Sequence, residues 1–139
     1  MANACLFCDI VSGALAADIV AHSEHAIAFL DARPLFKGHV LVAPRTHLVT
    51  LAELPAAALS PLFGAVQRVA RAVEAGLGVD GSFVAINNRV SQSVPHLHVH
   101  VVPRRKGDGL RGFFWPRTKY HSDDEQERVR AAIAAALRD

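Results

Sequence analysis

Only two cysteines occur in the 139 residues, Cys5 and Cys8, too few for a disulfide scaffold. No run approaches 18 consecutive apolar residues, so no transmembrane helix is expected. Charged residues make up 20% against 51% hydrophobic, which excludes a disordered chain. The net charge is only +2, and no interleaved stripe of aromatic and basic residues is present, so nucleic acid is not the expected partner. Met1-Ala2-Asn3-Ala4-Cys5 lacks the basic start and apolar run of a secretory signal, which makes the cytoplasm the expected address. Repeats, low-complexity tracts and long linkers are missing as well.

The chain has the length of one domain, residues 1–139, and can bury a real core. Ile19–His22, Ala26–Leu30, His39–Ala43, Ser82–Asn87 and His96–Val102 read as five strands. Leu62, Val66, Val69, Val73 and Leu77 recur at helical spacing and predict one long helix. Pro61 falls inside it and predicts a kink or a restart. Val129, Ile133 and Leu137 mark a C-terminal helix over 124–137. One long helix among five strands does not build a doubly wound sheet. The class is α+β, an antiparallel sheet with helices packed on it.

The most informative stretch is Pro95-His96-Leu97-His98-Val99-His100-Val101-Val102. On a strand the three histidines share one face, about 6–7 Å apart, while Leu97, Val99 and Val101 enter the core. Three buried imidazoles each need hydrogen-bond partners, so mere packing is an expensive explanation. A metal site or a catalytic imidazole remains. Cys5-Leu6-Phe7-Cys8 is half of a zinc site; His47 and one triad histidine can complete four ligands. Two free thiols in a reducing compartment are the alternative.

His96-Leu97-His98-Val99-His100-Val101-Val102 resembles the signature of the histidine triad superfamily of nucleotide hydrolases and transferases. Phe29-Leu30-Asp31, Gly38-His39-Val40 through His47, and Ser91-Gln92-Ser93-Val94 resemble further motifs of that family, so the likeness spans roughly residues 3–120. The resemblance implies a five-stranded antiparallel sheet per subunit and a homodimer. It implies that His98 is the nucleophile, attacking the α-phosphate of a purine nucleotide conjugate through a covalent nucleotidyl-histidine. The conjugates in view are phosphoramidates, acyl-adenylates and dinucleoside polyphosphates. His100 would contact phosphate oxygens and assist the leaving group. His39 would lie beside the triad; it or a backbone carbonyl would hold the tautomer of His98. Gln92 and Ser93 would donate to phosphate, Asp31 would grip the ribose hydroxyls, Phe29 and Ile27 would line the base pocket, and Asn87 would sit near ribose or phosphate. By resemblance to zinc-containing bacterial members, Cys5, Cys8, His47 and His96 would hold a structural Zn2+, and no organic cofactor is implied.

Val90 and Ser91 stand where the family commonly has glycine-like residues, which predicts a different geometry for that turn. The segment 104–119 is basic and carries Trp115, for which a place at a partner's nucleotide site and a place in an interface or core are both open. A nucleotide-binding regulatory protein with incidental turnover is the alternative to an enzyme. The intact triad favours the enzyme.

Overall fold

The computed structural model describes residues 4–110 and 117–137. The chain divides into two compact units, Met1–Asp108 and Gly109–Asp139. Trp115 lies outside the described residues.

The first unit holds α1 (Leu6–Ser12), β1 (Ile19–His22), β2 (Ala26–Leu30), β3 (Val40–Pro44), α2 (Ala56–Leu77), β4 (Gly81–Ala85) and β5 (Val99–Arg104). The five strands form one sheet in the order β1-β2-β3-β5-β4, and every neighbouring pair is antiparallel. Alternation along the strands sorts side chains onto two faces. Ala26, Ala28, Val40, Val42, Val99 and Val101 pack with Leu97 against Leu62, Ala65, Val66, Val69 and Val73 of α2. Ile27, Phe29, Leu41 and Ala43 form the opposite face and meet Phe7 and Ile10 of α1. The α2 stripe is the one its spacing predicts, except that Leu77 ends the helix half-exposed. Pro61 lies inside one 22-residue helix rather than at a restart. It is the sixth residue of that helix, so the Ala57 carbonyl one turn back receives no amide from it, and the helix continues despite that lost bond.

The last strand begins at Val99, three residues later than the alternation suggests. His96 and His98 therefore sit in the approach to β5, and their backbone is free to bond elsewhere: the Leu97 amide donates to the Leu48 carbonyl at 2.6 Å. Gly38 ends the loop into β3 with φ +100, and a β-carbon there would displace only the tip of the exposed Leu77 side chain. The left-handed φ is what favours glycine at this position.

In the second unit, α3 (Asp123–Ala136) is capped by Ser122, whose hydroxyl accepts from the Glu125 amide, while Glu125 accepts from the His121 amide. The Glu125 carboxylate thus reaches the amide just before the N-cap rather than that of Ser122 itself, a variant of the capping box. Among the described residues no helix is long and apolar enough to cross a membrane.

Candidate active site and metal centre

The N-terminal turn brings four ligands together. Cys5 caps α1, with its sulfur accepting from the Cys8 amide. Cys5 Sγ lies 3.4 Å from His96 Nδ1. Cys8 Sγ lies 3.5 Å from His47 Nδ1 and 3.6 Å from His96 Nδ1. The two Nδ1 atoms are 3.3 Å apart. An ideal tetrahedral zinc would set its ligands about 3.3 Å apart for N···N and about 3.6 Å for S···N. The donor set and spacing fit a closed structural zinc site. The tautomer fits as well: His96 Nε2 donates to the Pro44 carbonyl at 2.8 Å, which leaves Nδ1 bare. Burial, reinforced by the Cys5 sulfur, pushes the Cys8 thiol up to about 11 without a cation. A bound metal would reverse that and release protons.

His98 is buried and does not belong to that cluster. Its Nδ1 donates to the His96 carbonyl at 2.7 Å, which leaves Nε2 with a free lone pair. His96 thus serves both centres, with its ring in the cluster and its carbonyl on His98. Burial holds His98 below the ordinary imidazole value, against a smaller opposing contribution from that carbonyl. The ring of Phe7 meets His98 edge-on at 4.9 Å and 84°, and also touches Phe29 and His96. Phe7 was not among the expected site residues. Its only signal in sequence is an aromatic enclosed by two cysteines.

His100 lies beside His98, ring centroids 5.0 Å apart. Burial and the neighbouring imidazoles of His98 and His39 push it down to about 4. His39 pairs with His100, Nε2 to Nδ1 at 3.0 Å; the tautomer of His98 is held instead by the backbone carbonyl. Asp31 lies 3.7 Å from His39 Nδ1. Asp31, His39 and His100 are also grouped closely enough to suggest a cation. The 3.0 Å nitrogen pair, however, is closer than two ligands on one tetrahedral zinc and matches a hydrogen bond.

Ile27 and Phe29 are 5% and 3% exposed, packed in the α1-side core. Gln92 is half-buried and both ends of its amide are engaged: Nε2 donates to the Val49 carbonyl and Oε1 accepts from the Arg89 amide. Glu53 closes the circuit, accepting from the Val49 amide and lying 3.7 Å from the Arg89 guanidinium. Arg89 and Ser91 adopt φ +68 and +61. Each such non-glycine residue costs about 1–3 kcal/mol, so the circuit holds a strained turn. Ser93 and Asn87 are exposed, and Asn88 accepts from the Leu51 amide.

A family model described as HIT domain matches residues 12–107. The chain belongs to the HIT domain family. Its HIT relatives include "Protein hit" of Bacillus subtilis, 36% identical over 98% of this chain and 96% of that protein. A zinc-bound histidine triad family protein from Mycobacterium smegmatis superposes with a TM-score of 0.73 at 39% identity, covering 96% of this chain and 95% of that one. Two relatives with enzyme names are longer. Adenylylsulfatase HINT3 of Arabidopsis thaliana is 30% identical over 78% of this chain and 56% of its own length. The asymmetrical bis(5'-nucleosyl)-tetraphosphatase of Schizosaccharomyces pombe is 37% identical over 58% of this chain and 46% of its own.

Proposed function

We propose that this HIT protein is a nucleotidyl hydrolase or transferase acting at the α-phosphate of purine nucleotide conjugates, with His98 as nucleophile. One observation carries the reading. His98 is fixed in the tautomer that a nucleophile requires, Nδ1–H on a carbonyl and Nε2 bare, beside a second neutral imidazole. The names of the two enzyme relatives, an adenylylsulfatase and a bis(5'-nucleosyl)-tetraphosphatase, agree with it.

In the first step the Nε2 lone pair forms a bond to phosphorus, and the bond from phosphorus to the leaving atom breaks. The leaving group departs with that electron pair and takes a proton from water. In the second step water attacks phosphorus, Nε2 leaves with its electron pair, and the proton returns to solvent. One water is consumed overall and a nucleoside monophosphate is released. His100 stabilises developing charge by donating a hydrogen bond. Asp31 is assigned to the ribose hydroxyls, and Ser93, Asn87 and Gln92 to the phosphate side. For Gln92 this requires exchanging its bond to Val49. Phe29 and Ile27 form the floor of the base site.

Zn2+ at Cys5, Cys8, His47 and His96 supplies a structural cross-link with no open position for chemistry. The protein is assigned to the cytoplasm, a compartment that keeps thiols available as metal ligands. The subunit is assigned to a homodimer; among the described residues β4 pairs only with β5 and ends the sheet with Val84 exposed.

The test is His98→Gly, with AMP release measured from adenosine phosphoramidate, an acyl-adenylate and a dinucleoside polyphosphate. A loss of about 10³-fold or more is expected with AMP binding retained. Unchanged release overturns the nucleophile. AMP binding without turnover by the wild type would return the regulatory reading.

A further inference from the structure

The loop between β2 and β3 reaches the site through its backbone. It is closed at its base by the Asp31 amide on the His39 carbonyl, 2.9 Å, and by the His39 amide on the Phe36 carbonyl, 3.0 Å. Inside that closure the Leu35 amide donates to His39 Nδ1 at 3.1 Å. A nitrogen that accepts carries no proton, so the proton of neutral His39 is on Nε2. That Nε2–H faces His100 Nδ1 at 3.0 Å, so His100 must accept there and carry its own proton on Nε2. The order of donation is then Leu35 to His39 to His100, ending in a free Nε2–H. His39 is 3% exposed, which leaves its ring no water to substitute for either partner.

Resting on the proposed function, we infer that the Leu35 backbone amide, acting through His39, sets the tautomer of His100 and makes its Nε2 the donor to the reacting phosphate. Leu35 and His39 are positioning residues, and the Leu35 side chain has no part in it. The carboxylate of Asp31 pulls the other way. At 3.7 Å from His39 Nδ1 it favours a proton on that nitrogen, but the amide occupies the position. Removing the amide hydrogen leaves Asp31 unopposed. The relay then reverses: His39 carries Nδ1–H, His100 carries Nδ1–H, and His100 Nε2 presents a lone pair toward an anion.

The decisive measurement is the histidine tautomer spectrum of the zinc-loaded full chain at pH 7. It uses 15N-histidine labelling and long-range 1H–15N correlations, with His39→Gln and His100→Gln assigning the two rings. Nε2–H is expected for both rings in the wild type. A proton on Nδ1 of His100 overturns the proposal without any variant or activity assay. Leu35→Pro removes the donor, and Leu35→Ala keeps it. Proline is expected to turn His100 to the Nδ1–H form and to lower kcat about 10–100-fold with AMP affinity within twofold. Alanine is expected to keep the wild-type tautomer. If proline fails to fold, the wild-type spectrum still decides. If it folds and keeps the wild-type tautomer, Leu35 is not the determinant. The tautomer can hold while AMP release is absent, so failure of the function is distinguishable from failure of the relay.

Discussion

At the scale of single residues, the site depends on which nitrogen of each imidazole is bare. His96 gives up Nε2–H to Pro44, and His98 gives up Nδ1–H to His96, so the first can ligate and the second can attack. Triad spacing brings the rings to one place, but spacing carries no tautomer. Phe7 is the residue that sequence reading passed over. It is 4% exposed and packs edge-on to His98. Phe7→Ala is expected to destabilise by about 3–5 kcal/mol, the usual cost of emptying a buried phenyl site. It is also expected to lower kcat about 10–100-fold by loosening His98. Denaturant melts and steady-state kinetics of the zinc-loaded variant check both. A full-rate Phe7→Ala would reduce Phe7 to packing alone.

At the scale of elements, α1 has seven residues, too few to hold a helix alone. Its hold on the sheet is Phe7 and Ile10 in the core, together with the cysteine pair against His47 and His96. Cys5→Ser is therefore expected to lose zinc and to free the first turn. Metal analysis should fall from about one zinc per chain toward zero, and amides 5–12 should exchange faster while α2 stays protected. Unchanged zinc content would defeat the ligand set. The long helix was legible as periodicity, because burial of one stripe imposes it, whereas the strands were legible as short apolar, β-branched runs: β1 is exposed throughout, and β2 and β3 are buried on both faces, so one-sided alternation is absent there. The start of β5 was not. His96 to His98 alternate like a strand, yet their hydrogen bonds go to Leu48, Pro44 and each other rather than into a ladder.

At the scale of the whole molecule, buried imidazoles make the fold sensitive to acid. His100 is held near 4 and His39 below its ordinary value, both mainly by burial. In the unfolded chain both take protons below about 6.5. Between about pH 6.5 and 4 the unfolded state binds more protons than the folded one, so stability falls as pH falls across that window. Tm measured from pH 7.5 to 4.5 is expected to be level above 6.5 and to drop below it. A flat profile would mean that these rings are protonated without cost. The assigned homodimer predicts a solution mass of twice 14.9 kDa by light scattering, and a mass of 14.9 kDa would overturn it.

The sequence by itself determined the α+β class, the two faces of each strand, the apolar stripe of α2 and the cast of histidines and cysteines. Each of these follows from local periodicity or from residue chemistry, both of which a linear string carries. Tertiary structure alone decided that His39 serves His100 rather than His98, that Gln92 braces a strained turn, and that the metal cluster and His98 share His96. Those outcomes depend on hydrogen bonds to backbone groups at Leu35, Pro44, Val49 and His96. Backbone groups are the same at every position, so only the fold says which one a buried imidazole or amide will find.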